Sequence, residues 1–341
     1  MQTGYTTPLI SIILPVYNGE EFLAQALDGC LNQTIENWEL IIVNDCSTDK
    51  SLDIATKYQK LDNRIKIIQN EINQKLPYTL NAGFAIAKGE YVTWTSDDNV
   101  MKRNYLEVLL DSIIKTESDF VFSSYDVMDQ DNTLIKKQSV GAVRELLFQN
   151  IIGPSFLGKA SLFKDNYYDV DLFRIEDYEF WLSNLTRLKC CRVEESVYQY
   201  RVHGASLTAE ISTSGGFKHD LMDSMFIKLQ QSFKYNEITK RFLVLNQLNK
   251  KEASDYFFKN YKVIINGILS IDQNNFLHNV NPVFDAHVKH YVKLLDFLEI
   301  SKSLKVSFNI VRKYQVSGSS LLWLFLYSLK RIKRLIIKNT Q

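Results

Sequence analysis

The chain has few of the features that mark secreted, membrane-spanning or disulfide-stapled proteins. Its 341 residues include only four cysteines, with no metal-site spacing, at Cys30, Cys46, Cys190 and Cys191. No stretch approaches the roughly 18 uninterrupted apolar residues of a membrane-spanning helix. The N-terminus also shows no basic region followed by an apolar core, as a signal peptide would. We therefore expect a cytoplasmic protein with reduced thiols.

Several motifs of cofactor-dependent and covalent enzymes are also missing. No glycine-rich G-x-G-x-x-G fingerprint follows the first predicted strand, which argues against a dinucleotide site. Residues 153–160, GPSFLGKA, nearly match a phosphate-binding loop. However, Ala160 stands where a hydroxyl group would hold magnesium, and Pro154 removes a backbone donor. There is no serine nucleophile elbow, so the sequence offers no motif for a covalent nucleophile.

Acidic residues are absent from the C-terminal end. Residues 301–341 hold nine Lys or Arg and no Asp or Glu, whereas the first 300 residues hold 31 basic and 39 acidic ones. An acidic body argues against a nucleic-acid partner, and a basic tail suits an anionic surface. Residues 321–337 as a helix would span about 26 Å, short of a hydrocarbon core of about 30 Å. We expect this segment to lie on the cytoplasmic face of a membrane, with docking on protein as the alternative.

Short apolar runs alternate with helical patterns through the first part of the chain. This rhythm predicts an α/β fold with a mostly parallel sheet flanked by helices. The predicted strands are 9–16, 38–43, 64–69, 90–95 and 119–124, and the predicted helices are 20–31, 49–61, 78–88 and 105–116. The best linker is 212–216, STSGG, so we expect an α/β domain at 1–212 and a helical C-terminal region at 213–341.

Polar clusters follow three of these strands, where open α/β sheets bind ligands. They are Tyr17-Asn18, Asp45 and Asp97-Asp98. Adjacent carboxylates at a strand end suit a hard cation that bridges phosphates, although they also suit an ordinary turn. A second acid pair, Glu176-Asp177, begins a predicted helix; such acids stabilise a helix start or act as a general base.

Six segments, taken in order over residues 8–208, resemble family 2 of the nucleotide-sugar glycosyltransferases, which have the GT-A fold. Residues 11–27, SIILPVYNGEEFLAQAL, are similar to the family's opening strand and helix. Residues 43–51, VNDCSTDKS, are similar to the end of its second strand. The remaining similarities are Asn81-Ala82-Gly83 with AKGEY at 87–91, WTSDD at 94–98, Glu176-Asp177 with Trp181, and YRVHGASLT at 200–208.

The resemblance implies a role for each matching residue. The nucleotide would be bound by Pro15, Val16, Tyr17, Glu20, Asp45 and Ser96. Among these, Asp45 would accept a hydrogen bond from the ring N–H of uracil or thymine. Asp97 and His203 would lie at a Mg²⁺ or Mn²⁺ ion on the diphosphate. Asp177 would be the general base, with Glu176 beside it.

The implied reaction is inverting transfer of a sugar from a nucleoside-diphosphate sugar, with UDP favoured, to an acceptor hydroxyl. The acceptor would be a glycan or a lipid-linked glycan in cell-surface polysaccharide or glycolipid assembly. One residue departs from the family's Asp-x-Asp metal motif, because Thr95 occupies its first position. The alternatives are a sugar-nucleotide nucleotidyltransferase and a non-catalytic scaffold with the same fold.

Overall fold

The computed structural model describes residues 7–141, 146, 150–164, 167–184, 189–204, 206, 215–233 and 235–273. The chain divides into two compact units, with the boundary at Gly215 and Gly216. The predicted linker at 212–216 overlaps this boundary, although 212–214 lie outside the described residues. The split into a catalytic domain and a C-terminal region stays a prediction.

Strands and helices alternate from the start of the first unit. The strands are β1 (Ile10–Val16), β2 (Trp38–Asn44), β3 (Ile65–Gln69) and β4 (Tyr91–Trp94). The helices between them are α1 (Leu23–Leu31), α2 (Ser51–Leu61) and α3 (Lys75–Ile86). The predicted order is therefore confirmed. Among these elements, the largest differences are at two helix starts, because α1 begins three residues later than predicted and α3 three residues earlier.

The later elements of the first unit are less regular. A two-residue strand β5 (Val100–Met101) precedes α4 (Tyr105–Thr116), and a hairpin joins β6 (Phe120–Met128) to β7 (Leu134–Gln138). They are followed by β8 (Phe156–Lys159), α5 (Ser161–Lys164), a 3-10 turn (Val170–Leu172), α6 (Glu176–Asn184) and β9 (Cys190–Arg201). Strand β6 continues four residues past the predicted end.

All nine strands form one sheet within the described residues, in the order β3-β2-β1-β4-β8-β6-β9-β5, with β7 on β6. The first four strands in this order are parallel, as predicted. Beyond them the sheet is mixed, because β8 runs antiparallel to both β4 and β6. The parallel strands direct their carboxyl ends to one edge, where α/β folds bind ligands.

Helices cover both faces of the parallel strands. Leu27 and Leu106 belong to the buried cluster formed by α1, α4 and one face of the sheet. On α3, Gly83 allows a close approach to the sheet, because a Cβ there would overlap the Cγ2 of Ile13. Since both faces are covered, β1 and β2 are buried along their whole length. This accounts for their continuous apolar sequence.

The second unit is helical where the structure describes it. It contains α7 (Gly215–Phe233), α8 (Glu237–Leu248) and α9 (Lys250–Gln273). The side chain of Asn236 caps α8 by accepting a hydrogen bond from the Thr239 N–H at 2.9 Å. Within the described residues, the structure contains no helix with the length and apolar character needed to cross a bilayer. The predicted surface helix at 321–337 lies outside the described residues.

Candidate active site

A cavity of about 520 Å³ lies at the carboxyl ends of β1, β2 and β4, within the first unit. It brings together most of the residues that the sequence predicted to bind a nucleotide and a metal. Those in its lining are Pro15, Val16, Tyr17, Asp45, Ser96, Asp97 and His203. The three polar clusters therefore meet at one edge of the sheet.

One end of the cavity is formed by a firmly held carboxylate. Asp45 is only 3% exposed, and its Oδ1 accepts hydrogen bonds from Asn70 Nδ2 at 2.7 Å and Gln74 N at 2.8 Å. Its Oδ2 accepts one from Lys75 N at 3.0 Å. Each carboxylate oxygen has two acceptor positions, so Oδ2 retains a position for a donor from a ligand. Asp45 is thus oriented before any ligand binds.

The segment after β1 forms a wall beside Asp45. The side chain of Tyr17 is 50% exposed and lines the cavity together with Pro15 and Val16. An exposed aromatic ring next to a fixed hydrogen-bond acceptor suits a planar ligand with a ring N–H. This end of the cavity has the chemistry required for a nucleobase.

The other end of the cavity is acidic. The Oδ2 of Asp97 accepts a long hydrogen bond of 3.4 Å from Tyr17 N and lies against Gly19. Loss of hydration, and then the charge on Asp98, raises the pKa of the Asp97 carboxyl to about 7. Two neighbouring carboxylates that resist ionisation together form a favourable position for a positive charge.

The neighbouring residues complete this acidic end. The Oδ2 of Asp98 is 3.1 Å from His203 Nε2, whereas its buried Oδ1 has no hydrogen-bond partner among the described residues. Burial raises the pKa of the Asp98 carboxyl, although the contact with His203 opposes this rise. Within the described part of the chain, no three acidic, histidine or cysteine side chains converge as a complete cation site. The oxygen donors suit a hard cation whose remaining ligands come from a substrate diphosphate and water.

Thr95 does not take the place of the family's first metal-motif acid. It is 1% exposed, and its Oγ1 lies 2.7 Å from the hydroxyl of Tyr198, which is also buried. It is not among the lining residues of the cavity. The hydroxyl of Thr95 therefore forms a hydrogen bond in the protein interior, which links the residue after β4 to the side chain of Tyr198 on β9.

The second acid pair begins α6, next to the cavity. Arg174 lines the cavity, and its backbone N–H donates a hydrogen bond to Glu176 Oε2 at 2.6 Å. Asp177 Oδ2 accepts a hydrogen bond from Asn150 Nδ2 at 2.9 Å. Burial raises the pKa of both carboxyls, and the charge of Asp177 adds to the rise at Glu176. Neither acid is in the cavity lining, so the structure places them beside it.

Glu20 also stays outside the cavity lining. Its Oε2 accepts a hydrogen bond from Lys50 N at 2.9 Å, directly before α2. Its own N–H donates to Asp49 Oδ2 at 3.0 Å. These two bonds tie the loop after β1 to the segment directly before α2.

Two groups of lining residues escaped the sequence analysis. They are Asn73, Lys75, Leu76 and Thr79, which lie just before and in the first turns of α3, and Phe173 and Arg174 before α6. The first group follows a parallel strand, so the strand-end rule that selected Asp45 would also have selected it. Arg174 has a left-handed backbone with φ of 86°, which no residue pattern in the sequence indicated.

Comparison with known proteins identifies the class to which this fold and site belong. The sequence model of the family "Glycosyl transferase family 2" matches residues 11–176. An uncharacterized glycosyltransferase, RT0329, from Rickettsia typhi is 32% identical over 221 residues, which are 61% of this chain and 68% of the relative. A putative teichuronic acid biosynthesis glycosyltransferase, TuaG, from Bacillus subtilis is 29% identical over 208 residues, covering 59% and 82%.

Solved structures share the fold. The crystal structure of S. aureus TarS residues 1–349 in complex with UDP-GlcNAc has a TM-score of 0.58 and 19% identity, with 90% of this chain and 91% of that chain covered. The mannosyltransferase PcManGT from Pyrobaculum calidifontis, in complex with GDP-Man and Mn²⁺, has a TM-score of 0.52 and 14% identity, with coverages of 96% and 88%.

The fold is that of the GT-A glycosyltransferases, and the protein is a glycosyltransferase. The chain belongs to glycosyl transferase family 2. The family match ends at Glu176, so Asp177 and His203 lie beyond it.

Proposed function

We propose that this glycosyltransferase moves a sugar from a UDP-type nucleotide sugar to an acceptor hydroxyl, with inversion at the anomeric carbon. The observation that carries the proposal is the single cavity that joins the Asp45 carboxylate to the acidic pair Asp97-Asp98. A nucleoside diphosphate has a base at one end and a charged diphosphate at the other. The two ends of the cavity match these two chemical needs.

Asp45 supports the preference for a uracil base. Its carboxylate is oriented by three hydrogen bonds and is an acceptor. Uracil offers a ring N–H at N3 that donates to such a group, whereas cytosine has an acceptor at that position. The ring of Tyr17 would stack against the base. The complex of TarS with UDP-GlcNAc is consistent with this choice, since that protein shares the fold.

The acidic end would hold Mg²⁺ or Mn²⁺ through Asp97, with His203 close to the diphosphate. The ion, when bound, would stabilise the negative charge that develops on the leaving diphosphate. Asp98 holds His203 in place through the 3.1 Å contact with Nε2. Lys75 and Arg174 add positive charge to the lining. The structural neighbour in complex with GDP-Man and Mn²⁺ supports the same choice of ion.

Asp177 would act as the general base. The acceptor hydroxyl must lose its proton as it attacks the anomeric carbon, so a carboxylate must come within about 3 Å of it. Burial raises the pKa of Asp177 towards the range in which a base is effective. One direct displacement requires no enzyme nucleophile, which is consistent with the absence of a nucleophile motif. Glu176 is the neighbouring candidate for the same role.

The acceptor would be a glycan or a lipid-linked glycan used to assemble a cell-surface polysaccharide. Support comes from the similarity to TuaG, whose name places it in teichuronic acid biosynthesis. Loss of a proton to a carboxylate at the side of the cavity fits a sugar hydroxyl as the acceptor group.

Product analysis tests the proposal against a nucleotidyltransferase. A panel of nucleotide sugars is incubated with the protein, Mn²⁺ and glycan acceptors, and the released nucleotide is identified. We expect UDP from a UDP-sugar, and release that is about 10²–10⁴-fold slower with Asp177→Asn. In a parallel incubation with UTP and a sugar 1-phosphate, release of pyrophosphate would contradict the proposal and favour nucleotidyl transfer. The acidic loop residues Glu20 and Glu21 already disfavour that reaction, because a nucleotidyltransferase needs cations there.

A further inference from the structure

Arg201 joins three separate segments beneath the acidic end of the cavity. It is the last residue of β9, is 0% exposed and is not in the cavity lining. Its Nε donates to the backbone oxygen of Asp98 at 2.8 Å, and its Nη2 donates to Gln25 Oε1 at 2.7 Å. Its Nη1 donates to Asn132 Oδ1 at 2.9 Å and to the Gln130 oxygen at 3.1 Å. One side chain thus binds α1, the acidic turn and the β6–β7 loop.

The same residue also contacts the acidic turn through its backbone. The Arg201 N–H donates to Asn99 Oδ1 at 2.8 Å. With the bond to the Asp98 oxygen, two consecutive residues of the turn are tied to one residue of β9. Asp98 accepts one of these hydrogen bonds, and Asp97 comes directly before it in the turn. The directions of both carboxylates therefore depend on the backbone that Arg201 holds.

Arg201 reaches His203 through an aromatic ring. Its guanidinium carbon lies 4.4 Å from the ring centre of Phe22, and the rings of Phe22 and His203 are 5.2 Å apart. Phe22 itself lines the cavity. Arg201 therefore supports both residues expected at the cation. It contacts the ring of Phe22, which packs on His203, and it binds the backbone of the turn that carries Asp97.

Lysine would not reproduce these contacts. The guanidinium presents five N–H donors in a fixed plane, whereas an ammonium presents three donors around a point. The acceptors of Arg201 described above lie on α1, on the acidic turn and on the β6–β7 loop. A planar fork serves these three directions together. A lysine in this position would keep the positive charge and lose most of the bonds.

We propose that Arg201 is a positioning residue for the cation and diphosphate site, acting by fixing the backbone of the turn that carries Asp97 and Asp98. This inference rests on the proposed function, because it requires a cation and a diphosphate at the acidic end. It does not involve the Asp45 end, which is built from other segments. Loss of Arg201 should therefore weaken one end of the cavity and spare the other.

Calorimetric binding of UDP with and without Mn²⁺ tests this separation. We expect Arg201→Lys to keep the UDP affinity measured without Mn²⁺ within about twofold of the wild-type value. We expect the gain in affinity on adding Mn²⁺ to fall by about 10–100-fold, the usual effect of losing a group that orients metal ligands. The controls are Gln25→Ala and Asn132→Ala, each of which removes one acceptor of Arg201 without touching the acidic turn.

Thermal unfolding separates positioning from general stabilisation. The controls should lower the Tm and keep the Mn²⁺-dependent gain. If Arg201→Lys does not fold, Asn99→Ala replaces it, because it removes the other tie to the turn, and it should lose the same gain. An Arg201→Lys or Asn99→Ala protein with the wild-type Mn²⁺ gain would overturn the inference, as would controls that lose the gain along with Tm. Failure of the wild-type protein to bind UDP would instead overturn the proposed function.

Discussion

At the residue scale, we propose that Asp45 determines the specificity for the base. We expect Asp45→Asn to weaken UDP binding by about 1–3 kcal/mol, because its amide oxygen stays with the donors Asn70 and Gln74 and its N–H₂ group replaces the charged acceptor of the uracil N–H. Calorimetry measures the affinity. Glu20→Gln is the matched control, since the carboxylate of Glu20 binds the backbone before α2 and lies outside the cavity lining. It should change the Tm and leave the UDP affinity unchanged. Equal UDP affinity for Asp45→Asn and the wild type would remove Asp45 from the base site.

Asp177 is expected to contribute to turnover and not to donor binding. Asp177→Asn should lower kcat by about 10²–10⁴-fold, as loss of a general base does, with UDP affinity retained. Steady-state kinetics together with calorimetry measure both quantities. Near-normal turnover in this variant would reject Asp177 as the base. An inactive Glu176→Gln protein beside an active Asp177→Asn protein would assign the role to Glu176.

The same acid pair predicts opposite effects of pH on activity and on stability. Burial raises the pKa of both carboxyls above their ordinary value of about 4. The folded state thus retains protons that the unfolded chain releases, so stability falls as pH rises through the raised pKa values. Activity rises over the same range, because the base must be ionised. Burial raises the pKa of the Tyr168 hydroxyl well above its ordinary value, and the charges of Asp177 and Glu176 raise it further.

Glu176→Gln tests this linkage. The substituted amide cannot ionise, and its oxygen is still able to accept the bond from Arg174 N. We expect the variant to have a higher Tm than the wild type at pH 8, and a smaller difference at pH 5, where the wild-type carboxyl is protonated when folded. Thermal unfolding across pH 5–9 measures it. A difference that is constant over this range would contradict a raised pKa at Glu176.

At the scale of elements, the loop after β1 and the turn after β4 are in close contact. A Cβ on Gly19 would overlap Asp97 Oδ2 and would lie 2.7 Å from its Cγ. Gly19→Ala should therefore displace the Asp97 carboxylate and reduce the Mn²⁺-dependent gain in UDP affinity while the fold persists. Gly204→Ala is the control, because a Cβ there meets no atom of the described residues within 4 Å. If the two variants have the same Mn²⁺ response, Asp97 is not held as described.

The sequence pattern predicts the strands that are buried along their whole length. Strands β1 and β2 are covered on both faces, so their continuous apolar runs mark them unambiguously. The start of α3 was missed because Lys75 has a left-handed backbone with φ of 70°, stabilised by the bond from its N–H to Asp45. A local sequence pattern does not contain that contact, which joins residues 30 positions apart.

The candidate site was predicted where it follows strands and missed where it depends on tertiary contacts. Asp45 and Asp97 follow β2 and β4 directly, and the position of each carboxylate follows from the parallel sheet. Arg201 was part of a quoted motif, but its role depends on acceptors that are 69 to 176 positions away in the chain. The role of Glu20 depends in the same way on Lys50, 30 positions later, whose N–H donates a hydrogen bond to its carboxylate.

At the scale of the whole molecule, charge is divided along the chain. The basic, acid-free segment 301–341 and the apolar run within it lead us to propose that the C-terminal end holds the enzyme on an anionic membrane surface. Lipid-linked acceptors would be available there. We expect the full chain to float with anionic liposomes at low salt and less at high salt, and a version ending at Gly318 to float much less.

The salt dependence separates this proposal from a helix docked on protein. Basic residues near an anionic surface contribute about 1 kcal/mol each at moderate ionic strength, and salt screens that attraction. If the full chain and the shortened version both remain in solution with anionic liposomes at low salt, the segment does not bind a membrane. Docking on protein is then the preferred alternative.

The central claim is that one cavity holds the base at Asp45 and the diphosphate at Asp97. A crystal structure of the protein with UDP and Mn²⁺ tests it most directly. We predict a hydrogen bond from the uracil N3–H to the Asp45 carboxylate, with the diphosphate oxygens and Asp97 sharing one Mn²⁺ ion next to His203. Uridine bound away from Asp45, or a diphosphate whose metal ion does not contact Asp97, would contradict the account.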